Sequence, residues 1–283
     1  MNTQTIPVEI YHGIRGKKFR DMIIHTLVSV NIKQKYIDIL TDNDSMKIWG
    51  RAFTSKDADI DSNYELLELL GDVAAGHAIK KYMYRRFPQL HCHLGVKVIA
   101  RLLINYGSRY SFSKLATELG FLDYITSSVQ ERTDTEKRHA LLEDVFEAFC
   151  GALEEIADTR IIQGIGYTLV YDFVKMIFDK RKVSLEFIDL FDPVTLLKEL
   201  MDKPANKEAL GGINYKYTTS EVDGRISYRA RVFSTRHGLL GESDDFVRKL
   251  AQQSAAKKAL DTLKKMGYER VPPPEYKMFC LQK

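Results

Sequence analysis

Long apolar runs are missing from this chain of 283 residues: no stretch of about eighteen apolar residues, the length that a membrane-spanning helix needs, occurs in it. The first residues contain neither a basic region nor an apolar stretch typical of a secretory signal. Cysteine is also scarce. Cys92, Cys150 and Cys280 are odd in number, scattered, and without the spacing of a metal site. These absences favour a reducing, cytoplasmic location over a secreted one.

Proline is scarce through most of the chain, with Pro7, Pro88 and Pro193 as the first three. Between Pro88 and Pro193, apolar residues recur at the spacing of helices that bury one face, and this pattern fades near Arg181. The spacing predicts that the first domain is all-α. A Gly-rich phosphate loop, a Ser/His/Asp arrangement and a nucleotide-binding signature are all lacking there, so other residues must carry the chemistry.

A different pattern begins near Asp192. The following segments predict, in chain order, a helix, three strands and a helix: Pro193–Met201, Ile213–Val222, Ile226–Thr235, Gly238–Glu242 and residues 247–266. Asp223 and Gly224, between the first two strands, form a hairpin signal. We therefore expect a small α+β domain over residues 192–268, followed by an extended, proline-containing tail over residues 269–283.

Charge is distributed unevenly between these two parts. From Asp192 onward there are 17 Lys and Arg against 12 Asp and Glu, a net charge of +5, while the preceding residues contain 25 basic and 26 acidic side chains. A near-neutral body with a basic C-terminal part indicates that the latter meets a polyanion. An ordinary solvated surface explains the charge, taken alone, equally well.

Four acidic residues stand in two short segments of helical character. Glu68 and Asp72 are four residues apart, and Asp144 and Glu147 are three apart, so each pair lies on one face of its helix. Carboxylates on otherwise apolar helices are unfavourable unless something compensates them, and a divalent cation is the usual compensation. Two converging pairs would make an oxygen-rich Mg²⁺ site, and Gly151 would let a second backbone approach closely. Taken singly, either segment is explained as well by a solvated helix face.

Two further acidic residues, Glu65 and Glu143, lie next to these pairs. Glu65 extends the first row by one turn, but it also follows Ser62 at the spacing of a capping box. A structural cap and a catalytic duty are therefore equally supported for Glu65. Glu143 points about 100° away from Asp144 around the helix, which predicts a surface position.

The two acidic segments resemble the signature of the ribonuclease III family, Glu-x-x-Glu-Phe-Leu-Gly-Asp followed by Asp-x-x-Glu-Ala. Residues 65–72 read Glu-Leu-Leu-Glu-Leu-Leu-Gly-Asp, with Leu69 in place of Phe, and residues 144–148 match the second motif. The resemblance covers roughly residues 10–185 and implies an all-α ribonuclease III endonuclease domain. It implies catalytic duties for the following residues, the last four of them as metal ligands: Glu65, Glu68, Asp72, Asp144 and Glu147.

Phosphodiester hydrolysis of RNA needs a nucleophilic water, shielding of the charge that develops on phosphorus, and stabilisation of the leaving oxygen. Two Mg²⁺ ions can meet all three needs. Carboxylates, completed by waters and a phosphate oxygen, suit Mg²⁺, with Mn²⁺ as a substitute, better than Zn²⁺. The family resemblance implies 5′-phosphate and 3′-hydroxyl ends with short 3′ overhangs.

The C-terminal α-β-β-β-α order resembles the double-stranded RNA-binding domain. The motif Lys-Lys-x-Ala-Lys-x-x-Ala-Ala of that domain stands here over residues 248–256, with Gln252 replacing the last Lys. Its positions predict RNA contacts by Arg248, Lys249 and Gln252. The first helix of the domain resembles the element that reads the minor groove, which implies 2′-hydroxyl contacts by Thr195 and Glu199. Residues 221–224 depart from the usual Gly-Pro-x-His, and Asp244 and Asp245 place negative charge nearby. A domain that keeps the fold but binds RNA weakly, or docks a protein, is the alternative.

These features together predict an endoribonuclease that cleaves double-stranded RNA with Mg²⁺. One four-carboxylate centre cuts one strand, so the resemblance implies a homodimer through the catalytic domain. Ala75 and Gly76 make the first acidic helix a candidate interface. One rival is a catalytically silent, double-stranded RNA-binding or ribosome-associated scaffold of the same fold. Another is an unrelated metal-dependent phosphohydrolase of small nucleotides, against which the basic C-terminal domain argues.

Overall fold

A computed structural model describes residues 8–30 and 32–273, together with Tyr276 and Phe279. The chain divides into two compact units, Met1–Val183 and Ser184–Lys283. The domain limits expected from the sequence, 10–185 and 192–268, stay predictions.

The first unit is mainly helical, as predicted. Its helices are α1 (Lys17–Ser29), α2 (Gln34–Leu40), α3 (Asn43–Ala52), α4 (Glu65–Arg86), α5 (Gly95–Tyr106), α6 (Arg109–Glu118), α7 (Val129–Thr133), α8 (Thr135–Arg160) and α9 (Ile165–Asp179). Two short strands, β1 (Ile10–Tyr11) and β2 (Ser127–Ser128), pair antiparallel.

Helix α8 lies at the centre of this unit, and α4, α6 and α9 pack against it. Phe146 of α8 stacks on Phe112 with 4.8 Å between ring centroids, and Phe149 lies at the same distance from Trp49. Trp49 is fully buried and donates its indole N–H to the Leu40 carbonyl at 2.7 Å. Because helices pack around the middle of α8, Glu147 is buried there and Asp144 is half-buried.

Helices α4 and α8 cross at two glycines. A Cβ atom at Gly71 would lie 1.7 Å from the backbone oxygen of Glu147, and one at Gly151 would lie 2.0 Å from the backbone oxygen of Leu67. Glycine, which has no Cβ atom, is the residue that lets the two helix backbones come this close. The close approach expected at Gly151 is therefore confirmed, and Gly71 is its counterpart on α4.

The second unit has the predicted α-β-β-β-α order with two additional short helices. Its elements are α10 (Phe187–Leu190), α11 (Pro193–Met201), α12 (Pro204–Leu210), β3 (Ile213–Val222), β4 (Arg225–Ser234), β5 (Gly238–Asp245) and α13 (Arg248–Lys265). The strands form one antiparallel sheet in the order β3-β4-β5. Asp223 and Gly224, with φ of 51° and 72°, form the predicted hairpin turn. The α+β class is confirmed.

The expected extended tail, residues 269–283, lies in large part outside the described residues. Residues 269–273 have no regular structure, whereas Tyr276 and Phe279 are helical and buried. Tyr276 packs edge-on against Phe187 of α10, with 5.0 Å between ring centroids. The tail is therefore not extended throughout, because its aromatic residues pack into the second unit.

Within the described ranges, no helix combines the length and the apolar character needed to cross a membrane.

Candidate metal centre and nucleic-acid interface

Three of the four predicted metal ligands lie together where α4 crosses α8. One carboxylate oxygen from each of Glu68, Asp144 and Glu147 lies within 4.8 Å of the other two. Glu68 comes from α4 and the other two come from α8. Glu147 is buried, and Glu68 and Asp144 are half-buried. The crossing of α4 and α8 thus brings three acidic side chains together.

Asp72, the fourth predicted ligand, lies at the edge of this group. It is exposed one turn beyond Glu68 on α4 and falls outside the set of three converging oxygens. Burial is the main cause of the raised pKa of Glu147, and the negative charge of Asp72 is the next. Asp72 therefore lies close enough to act on the cluster electrostatically.

The protein itself disfavours the ionised forms of the three converging carboxyl groups. Burial, together with neighbouring carboxylates, raises the pKa of Glu147 to about 9. Burial raises the pKa of Asp144 to about 6, although a hydrogen bond from Tyr64 opposes this, and burial also raises the pKa of Glu68. Among the described residues, no ion pair involves any of the three. Such a group of acids is one that a bound divalent cation would stabilise.

Glu143 is not the surface residue that the sequence predicts. Its side chain is only 17% exposed, and its Oε2 pairs with Nε of Arg109 at 2.6 Å. Helix α6 brings Arg109 to this side of α8, a neighbour that helix spacing alone cannot reveal. The charge of Glu143 contributes, after burial and Asp72, to the raised pKa of Glu147.

Glu65 lies apart from the converging carboxylates, at the exposed start of α4. The capping box predicted for Ser62 and Glu65 is wrong, because α4 begins at Glu65 itself and Tyr64 is its N-cap. The backbone N–H of Glu65 donates instead to Oδ1 of Asn63 at 3.1 Å. The Glu65 carboxylate pairs with Nζ of Lys56 at 3.4 Å, and its catalytic duty stays a prediction.

Tyr64 belongs to this site, although no pattern in the sequence points to it. The residue is 4% exposed, and its hydroxyl donates a hydrogen bond to Oδ2 of Asp144 at 2.9 Å. Burial and the charge of Asp144 raise the pKa of Tyr64, so the phenol stays protonated and remains a donor. The two residues are 80 positions apart in sequence, which explains why spacing within one helix could not reveal the pair.

Comparison with known proteins places this arrangement in a family. A sequence model described as the ribonuclease III domain matches residues 65–154, the range that holds both acidic motifs. A protein of invertebrate iridescent virus 6 named as a ribonuclease 3 is 34% identical over 96% of this chain and 97% of its own length. The chain belongs to the ribonuclease III family. This membership confirms the predicted resemblance, the fold class and the prediction of a ribonuclease.

Further relatives carry the same family name. A ribonuclease 3 of frog virus 3 (isolate Goorha) is 37% identical over 86% of this chain, which spans 62% of the length of that viral protein. The nuclease domain of a ribonuclease III from Campylobacter jejuni, a solved structure, is 23% identical over 56% of this chain and 98% of its own, with a TM-score of 0.42. Ribonuclease III enzymes are metal-dependent, which agrees with the acidic cluster.

Two of the predicted RNA contacts lie in the first turn of α13 in this ribonuclease III chain. Arg248 and Lys249 are both exposed. The guanidinium carbon of Arg248 lies 4.3 Å from the centroid of the Tyr217 ring on β3, a cation–π contact that holds this side chain over the sheet. These two cations therefore lie beside the N-terminal end of α13, which carries a partial positive charge.

The other three predicted RNA contacts have different surroundings. Gln252 is half-buried one turn along α13. Thr195 donates its hydroxyl to the helix-capping carboxylate of Asp192 at 3.2 Å. Glu199 pairs with Arg270, with 3.1 Å between Oε2 and Nη2. RNA contact by Thr195 or Glu199 would therefore compete with an intramolecular bond.

The acidic residues next to the basic pair of α13 are already engaged. Asp244 pairs across the sheet with Arg229, with 2.6 Å between Oδ1 and Nε. Asp245 accepts a hydrogen bond from the backbone N–H of Val247 at 2.8 Å. The charge of Asp244 is therefore balanced by Arg229, while Asp245 keeps its charge and binds the backbone just before α13.

Proposed function

We propose that this chain is an endoribonuclease that cleaves double-stranded RNA by Mg²⁺-dependent phosphodiester hydrolysis. The observation that carries the proposal is the convergence of Glu68, Asp144 and Glu147 from two crossing helices. We add Asp72 to this ligand set because its charge acts on Glu147 and because it completes the first acidic motif. The expected products carry 5′-phosphate and 3′-hydroxyl ends.

The donor set fits magnesium. All four side chains offer oxygen, the ligand that Mg²⁺ and Mn²⁺ prefer, and no His or thiolate belongs to the converging group. Bound divalent cations supply an activated water and stabilise the oxygen that leaves. Glu147 and Asp144 hold their position because α8 is packed on several sides, while exposed Asp72 can adjust to the substrate. For Glu65, we propose a place at the rim of the site facing the RNA.

The raised pKa of Glu147 makes metal binding pH-dependent. A proton and a divalent cation compete for the same carboxylate, so the apparent affinity for Mg²⁺ increases as pH rises toward about 9, the pKa of Glu147. Between pH 6.5 and pH 8.5 we expect the Mg²⁺ concentration that gives half-maximal cleavage to fall by about tenfold or more. Cleavage assays with Mg²⁺ titrations at each pH check this, and a half-maximal concentration independent of pH would contradict it.

We assign duplex binding outside the metal centre to the second unit. Arg248, held by Tyr217, and Lys249 would contact phosphates across the RNA groove, and helix α11 would carry Thr195 and Glu199 to the minor groove. Because phosphate contacts carry no sequence information, this unit would supply affinity rather than choice of cleavage site.

We also propose a homodimer, because cutting both strands needs two centres. The N-terminal half of α4 exposes four apolar residues on one face, next to the metal ligands: Leu66, Leu69, Leu70 and Val73. The same face continues into a groove of about 690 Å³ between α4 and the aliphatic side of α5. A second copy related by a two-fold axis would cover this surface in both subunits. Ala75, which the sequence suggested for this interface, is instead buried inside the first unit.

We call these four exposed residues of α4 the apolar stripe, and a charge placed in it should separate the two copies. Val73→Glu would bury a carboxylate in the proposed interface, so we expect a monomer by light scattering and a loss of double-strand cleavage of about tenfold or more. Ile60→Glu is the matched control, since Ile60 is 77% exposed but lies outside the stripe, before α4 begins. A Val73→Glu protein that remains dimeric would refute this interface.

The deciding experiment for the proposed function uses long duplex RNA with and without Mg²⁺. We expect short duplex products only when Mg²⁺ is present, and binding without cleavage when Ca²⁺ replaces it. Duplex binding without cleavage at any Mg²⁺ concentration would support the silent scaffold instead. Hydrolysis restricted to small nucleotides would support an unrelated phosphohydrolase.

A further inference from the structure

Tyr64 is connected to two of the proposed metal ligands in different ways. Its hydroxyl donates to Oδ2 of Asp144 on α8 at 2.9 Å. Its carbonyl accepts the backbone N–H of Glu68 on α4 at 2.8 Å. Its own N–H donates to the carbonyl of Thr54 at 3.0 Å, so the backbone of Tyr64 is held on both sides. One buried residue therefore ties a ligand of α8 to the first turn of the helix that supplies the ligand Glu68.

We propose that Tyr64 is a positioning residue for the metal centre, which fixes the Asp144 carboxylate in the orientation that a divalent cation needs. The inference rests on the proposed function of the acidic cluster. A carboxylate that accepts a hydrogen bond through one oxygen can still bind a cation, and the bond restricts rotation about its side-chain torsions. The phenol is neutral, so it orients Asp144 without supplying a positive charge that would compete with the cation.

The identity of the donor matters because the other polar groups near Asp144 act differently. Arg109 pairs with Glu143 rather than with Asp144. A Lys or Arg at the place of Tyr64 would satisfy the carboxylate and weaken its attraction for a divalent cation. A buried hydroxyl orients the ligand and leaves its charge available.

A second buried tyrosine, which lies within α4, provides a matched control. Tyr82 is also 4% exposed, and its hydroxyl donates to Oδ1 of Asp179 at 3.0 Å, with an additional bond from Arg86. Asp179 ends α9 and is not part of the acidic cluster. Tyr64→Phe and Tyr82→Phe each remove one part-buried Tyr–Asp hydrogen bond and keep the ring, and Tyr82→Phe also removes the bond from Arg86. If such a bond serves only to hold two helices together, the two variants should bind Mn²⁺ with the same affinity.

The test measures Mn²⁺ binding to the full chain without RNA, by the loss of the free Mn²⁺ signal in electron paramagnetic resonance. We expect Tyr64→Phe to weaken Mn²⁺ binding by about tenfold, the size of effect typical for loss of a hydrogen bond to a metal ligand, and Tyr82→Phe to leave it unchanged. Both variants should lower the melting temperature of the metal-free protein by about 2–4 °C. With RNA, Tyr64→Phe should raise the Mg²⁺ concentration for half-maximal cleavage by a similar factor and recover most of the maximal rate at high Mg²⁺.

Two further variants separate this inference from the proposed function. Asp144→Asn should weaken Mn²⁺ binding strongly, and adding Tyr64→Phe to it should cause no further loss, since the hydrogen bond then acts on a group that no longer binds the cation. Wild-type affinity in Tyr64→Phe, or equal losses in Tyr64→Phe and Tyr82→Phe, would overturn the positioning role while leaving the metal centre intact. Equal Mn²⁺ affinity in wild type and Asp144→Asn would overturn both.

Discussion

Glu147→Gln is expected to abolish cleavage of duplex RNA, by about 10³-fold or more, while leaving the affinity for the duplex within about twofold of wild type. The amide keeps the shape of the side chain but lacks the negative charge that attracts a divalent cation. Glu147 is buried, whereas Glu68 and Asp144 are half-buried, so water has the least access to the position of this carboxyl group. Asp144→Asn should act in the same direction.

The control for this experiment lies on the same helix. Glu155 of α8 is exposed and lies two turns beyond Glu147, outside the acidic cluster. Glu155→Gln changes the net charge equally and should leave cleavage within about twofold of wild type. Gel assays of RNA cleavage and binding, run in parallel at fixed Mg²⁺, measure both quantities. Turnover near the wild-type rate in Glu147→Gln would refute the assignment of this metal centre.

Changing both Arg248 and Lys249 to Ala should weaken duplex binding by about 10- to 100-fold at 150 mM salt, to a similar degree for all RNA sequences. Both side chains are exposed in the first turn of α13, where the helix end adds to the attraction for phosphate. Removing two phosphate contacts should also reduce the slope of log affinity against log salt by about 2. Cleavage at low salt and high protein concentration should survive, since the acidic cluster belongs to the other unit.

Lys264 and Lys265 provide the matched control, because they are exposed in the last turn of the same helix. Changing both to Ala removes the same charge at the end of α13 where the helix dipole does not favour phosphate. Equal losses in the two double variants would mean that net charge alone drives binding. An unchanged affinity and salt slope in the Arg248 and Lys249 variant would indicate that the second unit docks a protein instead.

The acidic residues at the crossing of α4 and α8 can be predicted from the sequence because two regularities coincide there. The three- and four-residue spacings place Asp144 with Glu147 and Glu68 with Asp72, and the family motifs pair the two segments. The spacing does not show how far each side chain reaches into the crossing, so it treats exposed Asp72 and buried Glu147 as equivalent.

The sequence does not predict the role of a residue when that role depends on a helix far away along the chain. Glu143 is covered by α6 through Arg109, and Tyr64 meets Asp144 across 80 positions of sequence. The short helix α12, Pro204–Leu210, is also absent from the prediction, since seven residues give too few turns for an apolar period to emerge. Elements defined by local chemistry, such as the turn at Asp223 and Gly224, are predicted well.

The contact between Gly71 and Gly151 has a consequence for how substitutions in this chain should be interpreted. A methyl group at Gly71 would meet the backbone of Glu147 itself, so α4 and α8 would have to separate by at least about 1 Å to admit it. That separation would move Glu68 away from Glu147 although neither residue had changed. Gly71 and Gly151 therefore keep the acidic cluster together although neither has a functional group, and a larger residue at either position would disturb the cluster while every acidic residue remained in place.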